Sequence, residues 1–214
     1  MSQAPQLCCV CEADAVTFFI QVEGKDYWRC NHCLATFLDP AQRPDQSTER
    51  AQYQLHRNEV DDPQYRRFLS QLADPLLAQL APQSQGLDYG CGPGPALAAM
   101  LSEAGHQMTL YDPAFYDHPE ALQRSYDFIT CTEVIEHFHH PAAEFSRLSQ
   151  CLKPGGILAL MTSFQTDDAA FARWHYRRDP THVVFYRPQT LTVVAQRLGW
   201  SAHFPARYLA FLCA

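Results

Sequence analysis

The chain has 214 residues, 47% of them hydrophobic, and a formal net charge of −7. This composition supports a buried core and excludes wholesale disorder, and the negative charge argues against general binding to nucleic-acid phosphates, although a local basic patch at Arg173, Arg177 and Arg178 stays open. No apolar run reaches the roughly 18 residues that span a bilayer. The first residues lack the basic and apolar regions of a signal peptide, so we expect a cytoplasmic protein without membrane contact.

Two pairs of cysteines dominate residues 1–40, where we expect two short β segments. Cys8, Cys11, Cys30 and Cys33 follow the pattern C-x2-C-x18-C-x2-C, which suits one tetrahedral zinc ion. About 30 residues need such an ion to fold. We therefore predict a closed, structural zinc ribbon that unfolds first on chelation, with disulfides or free thiols as the alternatives. Cys9 and His32 could compete as ligands but break the paired geometry. We expect the other cysteines to be buried small hydrophobes: Cys91, Cys131, Cys151 and Cys213.

Residues 41–82 are predicted to form a helical linker or lid. A first helix, capped by Ser47 or Thr48, is expected to run to about His56. A second helix starts at Asp62-Pro63, and Pro75 should kink or restart it. Some polar residues of the first helix could cover a ligand or lie on an exposed face: Arg50, Tyr53, His56 and Asn58.

Residues 83–214 alternate between strand and helix, which predicts an α/β domain with a mostly parallel sheet covered on both faces. The predicted strands are 86–89, 108–112, 127–132, 157–162, 200–204 and 208–213. The predicted helices are 96–103, 142–152 and 189–198. Lys153-Pro154-Gly155-Gly156 is predicted to be a turn.

A glycine-rich turn, Gly90-Cys91-Gly92-Pro93-Gly94, follows the first of these strands and opens a helix. Glycines let the backbone approach a ligand closely. Asp112, at the end of the next strand, could accept hydrogen bonds from the ribose hydroxyls of a nucleoside cofactor. Asp88 adds negative charge, which suits an ammonium or a sulfonium better than a pyrophosphate. An NAD-dependent oxidoreductase and an ordinary strand–helix turn are the alternatives.

Four segments together resemble class I S-adenosylmethionine-dependent methyltransferases of the Methyltransferase-23 type. They are 87–92, Asp112, 133–137 and 152–156. The resemblance implies a Rossmann-like sheet with an antiparallel last strand and S-adenosylmethionine as cofactor. The implied cofactor-binding residues are Asp88, Gly90, Cys91, Gly92, Gly94, Asp112, Thr132 and Glu133. Only 14 residues separate Asp112 from Asp127, so the usual helix and strand between them must be shortened, and the adenine contacts stay unassigned.

Glu133, Glu136 and His137 would share one face if their segment were a helical turn. The pattern Glu-x-x-Glu-His resembles the metal-binding motif of ubiquinone-pathway O-methyltransferases and of enzymes that methylate 2′-hydroxyls at small-RNA 3′ ends. In the latter group a later histidine completes the site, and His182 is placed to do so. A second metal site of Glu133, Glu136, His137 and His182 could therefore hold Mg²⁺ and activate a hydroxyl. Without a metal, His137 or His182 would act as the base.

The segment 174–182 is dense in polar and aromatic groups and is either the acceptor side of the site or a solvated loop. Its substrate-facing candidates are His175, Tyr176, Arg177, Asp179 and His182. We predict O-methylation of a small or medium acceptor, with Glu133, His137, His175 and His182 as candidate catalytic residues. The alternative is a binding module in which the ribbon recruits a protein or nucleic acid and the methyltransferase fold is catalytically weak.

Overall fold

The structure, a computed structural model, describes residues 5–53 and 59–214, with Gln46 described by its backbone alone. His56 and Asn58 lie outside the described residues. The strands are β1 (Val16–Val22), β2 (Lys25–Cys30), β3 (Thr36–Leu38), β4 (Gln85–Tyr89), β5 (Gln107–Tyr111), β6 (Tyr126–Thr132), β7 (Leu152–Met161), β8 (Val184–Phe185), β9 (Ser201–Ala206) and β10 (Leu209–Cys213). The helices are α1 (Gln46–Tyr53), α2 (Pro63–Leu77), α3 (Ala96–Glu103), α4 (Pro141–Gln150) and α5 (Pro188–Arg197).

A six-stranded sheet in the order β5-β4-β6-β7-β10-β9 forms the centre of the fold. Strands β5, β4, β6 and β7 pair in parallel, and β10 is antiparallel to both of its neighbours. The predicted fold class, a mostly parallel sheet with an antiparallel last strand, is confirmed. Parallel pairing brings the carboxyl ends of β4, β5 and β6 to one edge, where the glycine turn and Asp112 follow their strands.

Buried side chains cover both faces of this sheet, as expected for parallel strands. Neighbouring residues of β6 point to opposite faces, so Phe128 packs in one apolar cluster and Ile129 in the other. The Phe128 cluster includes residues of α2 and α3, among them Leu72 and Leu101. The other cluster includes Phe145 of α4. No helix among the described residues is long and apolar enough to cross a membrane.

The connection between β5 and β6 is short, as predicted from the spacing of Asp112 and Asp127. It contains one 3-10 turn, Pro119–Gln123, and β5 lies at the edge of the sheet. The predicted turn at 153–156 is wrong, because these residues form a bulge inside β7. Tyr126 pairs with Leu152 and Phe128 with Ile157, so β7 advances five residues while β6 advances two. The bulge is held by the chain end, since Gly155 donates to the carbonyl of Ala214.

Two details of the linker helices differ from prediction. Helix α1 begins at Gln46, and Asp45 rather than Ser47 or Thr48 caps it, because Asp45 Oδ1 accepts the N–H of Thr48 at 2.8 Å. Helix α2 is capped by Asp62 with Pro63 in its first turn, as predicted. It does not restart at Pro75 but continues to Leu77, since a proline in the last turn costs only one helical hydrogen bond.

The second sheet joins the N-terminal segment to a late part of the chain. Its order is β1-β2-β3-β8, and Phe37 of β3 pairs with Val184 of β8. One continuous apolar cluster includes Tyr27 and Phe37 together with Phe185 and Leu191. The division of the chain at residues 40 and 82 stays a prediction, but the N-terminal segment shares both a sheet and a core with residues 164–200.

Candidate active site

The four predicted zinc ligands lie together and are buried. The Sγ atoms of Cys8, Cys11, Cys30 and Cys33 all lie within 4.8 Å of one another. The Cys8–Cys33 and Cys11–Cys30 sulfur distances are 3.7 and 3.6 Å. A tetrahedral zinc ion with bonds of about 2.3 Å would place its sulfurs about 3.8 Å apart. The donor set and its spacing therefore fit zinc.

The two cysteine pairs adopt the same local turn. Glu12 and Leu34, each directly after the second cysteine of its pair, have φ values of +58° and +64°. Their N–H groups donate to the carbonyls of Cys8 and Cys30 at 2.9 and 2.8 Å. Neither Cys9 nor His32 belongs to the cluster. Burial raises the pKa of the Cys9 thiol to about 12.

A cleft of about 980 Å³ opens at the carboxyl edge of the central sheet. The glycine turn forms its floor with positive φ at Gly90 (+76°) and Gly92 (+65°). A Cβ at Gly90 would lie 2.5 Å from Val134 Cγ2, whereas one at Gly92 would meet nothing within 4 Å. Gly90 thus permits close packing against the loop after β6, and Gly92 leaves room for a ligand.

The first amides of the turn are held by the protein itself. The N–H groups of Gly90 and Cys91 point to the carbonyl of Tyr111, at 2.8 and 3.4 Å. Gly92 donates to Asp112 Oδ2 at 3.0 Å, and Ala114 donates to Asp112 Oδ1 at 2.8 Å. A pyrophosphate would need such amides for its own oxygens, so this turn disfavours a dinucleotide.

Most of the predicted cofactor-binding residues line the cleft: Gly90, Cys91, Gly92, Asp112, Thr132 and Glu133. Asp88 lies below the turn, 4% exposed, and accepts a hydrogen bond of 2.7 Å from Thr130. Burial, and next the nearby charge of Asp112, raises the pKa of Asp88 to about 6. Gly94 is not among the lining residues, and its carbonyl accepts the N–H of Ala96. Thr132 Oγ1 is buried and has no hydrogen-bond partner within the described part of the chain.

Sequence reasoning missed the aromatic side chains that line the same cleft: Tyr65, Phe68, Tyr89, Phe115 and Phe138. Tyr65 and Phe68 lie three residues apart on α2, but the others come from separate elements, so no single spacing rule connects the set. The nearest signal was position, because Phe115 and Phe138 closely follow Asp112 and His137 in the chain. Tyr89 stacks at a tilt on Tyr111 with ring centroids 5.2 Å apart, and its hydroxyl donates to Glu144.

The predicted common helical face of Glu133, Glu136 and His137 is wrong. Strand β6 ends at Thr132, and Glu133 adopts a left-handed conformation with φ +53°. The helical turn is a short 3-10 segment, Ile135–His137, and Glu133 precedes it. Ligand atoms of Glu136, His137 and His182 nevertheless lie within 4.8 Å of one another, and Glu133 is not part of this group.

Glu136 is fully buried behind the cleft. Its carboxylate accepts hydrogen bonds from Thr162 Oγ1 at 3.1 Å and from the hydroxyl of Tyr176. Burial, and next the charge of Glu133, raises the pKa of Glu136 well above its usual value. Burial likewise raises the pKa of Glu133. His182 Nε2 lies 4.0 Å from Glu136 Oε1.

The two histidines have the same hydrogen-bonding arrangement. His137 Nδ1 lies 3.0 Å from the carbonyl of Thr181, and His182 Nδ1 lies 2.7 Å from the carbonyl of Tyr176. Because a carbonyl oxygen only accepts, each Nδ1 carries the hydrogen. Each Nε2 is then the atom that can accept a proton or bind a cation. The rings lie 4.7 Å apart, centroid to centroid.

The segment 174–182 divides between the cleft and the N-terminal sheet. His175, Tyr176, Asp179 and His182 line the cleft. Arg177 was predicted to face the substrate, but it is 3% exposed and turned away from the cleft. It donates to Tyr27 and Glu23 of the N-terminal segment instead. Arg50 and Tyr53 of α1 also line the cleft, and the ring of Tyr53 lies edge-on to His137 with centroids 5.4 Å apart.

Known proteins share both the sequence pattern and the fold. Curated relatives are named "Ubiquinone biosynthesis O-methyltransferase". The one from Sodalis glossinidius is 29% identical over 131 residues, which is 57% of this chain and 50% of the relative. The one from Vibrio cholerae serotype O1 is 31% identical over 86 residues, covering 40% and 35%. This chain therefore spans about half or less of the relatives it matches.

Solved structures agree in fold. An O-methyltransferase family protein from Burkholderia thailandensis aligns with a TM-score of 0.51 at 15% identity, over 79% of this chain and 62% of its own. A SAM-dependent methyltransferase from Archaeoglobus fulgidus aligns with a TM-score of 0.50 at 21% identity, over 63% and 69%. These likenesses show the class I methyltransferase fold. Residues 45–203 match the Methyltransf_23 family, described as a methyltransferase domain. Since this match covers most of the chain, the protein belongs to the Methyltransf_23 family of methyltransferase domains.

Proposed function

We propose that this protein is an S-adenosylmethionine-dependent methyltransferase that methylates a hydroxyl oxygen of a small or medium acceptor. One observation carries the proposal. The same cleft holds Asp112, locked to the glycine turn by Gly92, and the paired imidazoles of His137 and His182. A cofactor-binding acid and two bases thus face one space. The curated relatives are named as O-methyltransferases, which supports oxygen as the methylated atom.

The cleft fits S-adenosylmethionine in charge and in hydrogen bonding. Asp112 keeps acceptor capacity for ribose at Oδ2, which among the described residues accepts only the N–H of Gly92 and has a second lone pair, whereas Oδ1 already accepts the N–H groups of Ala114 and Phe115. Thr132 Oγ1 offers a buried hydroxyl with no partner in the described chain, suited to a polar group of the methionine part. Asp88 and Glu133 bring negative charge toward a ligand with an ammonium and a sulfonium. When bound, the cofactor supplies a methyl group from its sulfonium to the acceptor oxygen and becomes S-adenosylhomocysteine.

The acceptor proton would be taken by His137 or His182. Their Nδ1–H groups are tied to backbone carbonyls, so the rings are held in the tautomer that has a basic Nε2. The proton passes from the acceptor hydroxyl to that nitrogen as the new C–O bond forms. Aromatic side chains such as Tyr53 and Phe138 line the cleft, which favours a flat, aromatic acceptor.

A metal-assisted version of the same reaction uses the same residues. Glu136, His137 and His182 place their ligand atoms within 4.8 Å of one another, close enough to hold a divalent ion such as Mg²⁺. Such an ion would lower the pKa of a bound hydroxyl and orient it. The competing view is that Glu136 is structural, because Thr162 and Tyr176 already bond to its two oxygens.

The test combines binding and turnover. Calorimetry with S-adenosylmethionine, S-adenosylhomocysteine and NAD asks which ligand the cleft takes, and mass spectrometry follows methylation of a panel of phenols and catechols. We expect micromolar binding of the first two and none of NAD. Binding of NAD alone would overturn the proposal, and binding of neither would favour a recruitment module with a weak methyltransferase fold.

Metal dependence is then decided with His137→Gln, His182→Gln and a chelator. With a base mechanism, one of the two variants loses at least about 100-fold in kcat, and EDTA followed by Mg²⁺ leaves the wild-type rate unchanged. With a metal mechanism, EDTA abolishes turnover and Mg²⁺ restores it in the wild type but not in either variant. The cysteine cluster must keep its zinc during this treatment, which elemental analysis checks.

A further inference from the structure

The acceptor side of the cleft is attached to the N-terminal sheet rather than to the central one. After β7 the chain leaves the central sheet and forms β8, which pairs with β3 in the N-terminal sheet. Between them, Phe171 packs edge-on against Tyr27, with centroids 5.0 Å apart, and against Phe185 at 5.2 Å. These edge-on aromatic contacts attach segment 171–185 to the N-terminal segment that carries β1, β2, β3 and the four-cysteine cluster. We call this N-terminal segment, residues 8–38, the ribbon.

Arg177 is the polar anchor within this contact. It is 3% exposed, and its guanidinium donates to the hydroxyl of Tyr27 at 3.4 Å, to Glu23 at 3.0 Å and to the carbonyl of Ala172 at 3.3 Å. A buried guanidinium is retained only where such partners offset its loss of water. The cleft does not use this side chain, since Arg177 is not among its lining residues.

The residue before Arg177, Tyr176, contacts both His182 and Glu136. The carbonyl of Tyr176 accepts the Nδ1–H of His182 at 2.7 Å, and its hydroxyl donates to Glu136. A second connection runs through Val183, whose carbonyl accepts the N–H of Leu38 in β3 at 2.9 Å. Its own N–H donates to the carbonyl of Glu136 at 2.9 Å. Both paths run from the ribbon to the pair Glu136–His182.

We propose that Arg177 is a positioning residue: by anchoring Tyr176 to the ribbon, it holds His182 in the tautomer and orientation needed on the acceptor side. This inference rests on the proposed function, because it takes His182 to act on the acceptor. The ribbon then supports the acceptor site by holding Tyr176, and through it His182, in place. Cofactor binding does not depend on it, since the glycine turn and Asp112 follow β4 and β5 on the far side of β6.

The primary test is spectroscopic and needs no acceptor. Imidazole ¹⁵N shifts of protein labelled with ¹⁵N-histidine report which ring nitrogen carries the hydrogen, and His182→Gln identifies the signals of His182. We expect the Nδ1–H form in the wild type and a mixture of tautomers in Arg177→Met. Tyr27→Phe, which keeps the aromatic packing and removes one partner of Arg177, should give a smaller change in the same direction.

Two controls separate positioning from loss of stability. Arg178→Met removes the exposed neighbouring cation, and Leu101→Ala weakens the opposite apolar cluster. Both should keep the wild-type tautomer of His182, although Leu101→Ala lowers the free energy of unfolding. In turnover assays Arg177→Met should lose about tenfold or more in kcat/KM for the acceptor, with the Kd for S-adenosylmethionine within about twofold of wild type.

The outcomes are distinct. A wild-type protein that fails to bind S-adenosylmethionine removes the proposed function, while the tautomer comparison still reports on Arg177. Intact cofactor binding with an unchanged His182 tautomer in both Arg177→Met and Tyr27→Phe overturns the positioning role. An equal tautomer change in Leu101→Ala overturns it too, because general destabilisation would then explain the effect.

Discussion

The backbone N–H of Gly92 donates to Oδ2 of Asp112 at 3.0 Å, which joins the turn after β4 to the end of the neighbouring strand. The carboxylate is thereby oriented before any ligand arrives. We expect Asp112→Ala to lower the affinity for S-adenosylmethionine about 30- to 1000-fold, because the charge-assisted hydrogen bonding to ribose and the bond that orients the turn are lost together. Calorimetry measures this, with Asp117→Ala on the same loop as the matched control. An unchanged affinity would remove Asp112 from the site.

The two glycines of the turn should respond differently to alanine. Both have positive φ, which costs about 1–2 kcal/mol for a residue with a Cβ. At Gly90 the methyl group also collides with Val134, so Gly90→Ala should lose clearly more free energy of unfolding than Gly92→Ala. At Gly92 the methyl group enters the cleft and should mainly weaken cofactor binding. Urea unfolding and calorimetry on both variants test this, and equal stabilities would contradict it.

Asp88 should make stability depend on pH. Its pKa is raised from 3.8 to about 6 by burial, so the folded state favours the neutral acid. Well below pH 4 Asp88 is neutral in both the folded and the unfolded protein, so its ionisation does not affect the free energy of unfolding. As the pH rises from about 4 to 6, the free energy of unfolding falls, and above pH 6 Asp88 changes it no further. The loss is about 3 kcal/mol in the ligand-free protein.

Asp88→Asn isolates this effect, because an amide oxygen can still accept the hydrogen bond from Thr130. The variant should lack the loss between pH 4 and 6 and be more stable than wild type at pH 8. Urea unfolding at several pH values measures the difference. If the free energy of unfolding changes with pH in the same way for wild type and variant across this range, Asp88 keeps an ordinary pKa in the folded protein.

Elemental analysis should find one zinc per chain, held by the four-cysteine cluster. An independent ribbon would unfold alone on chelation, but the shared sheet changes this expectation. Because β3 pairs with β8, removing the metal should release amide protection in 16–38 and 171–185 together. Strands β4 and β6 should stay protected. Hydrogen exchange with and without a chelator decides this, with Cys30→Ser as the genetic equivalent. A zinc content near zero per chain in the purified protein would contradict the zinc assignment.

Local chemistry explains what could be predicted from the chain alone. Two C-x2-C pairs, the Asp-x-Gly-x-Gly turn after a strand, the acid one strand later and the alternation of strand and helix are short-range patterns. They therefore predicted the cysteine cluster, a mostly parallel sheet and the carboxylate that Gly92 orients, whereas the antiparallel last strand was implied by the family resemblance. The 14 residues between Asp112 and Asp127 were enough to predict a shortened connection.

Contacts between distant segments were decided only by the tertiary structure. Glu136, His137 and His182 meet although about 45 residues separate them, and Glu133 stays outside because a left-handed residue, invisible to helical spacing, ends the strand. Arg177 belongs to the ribbon because Tyr27 and Glu23, about 150 residues earlier, offer it partners. Sequence periodicity reports which residues are buried within one element. It does not report which element covers them, since burial energy depends on apolar area and not on the partner's identity.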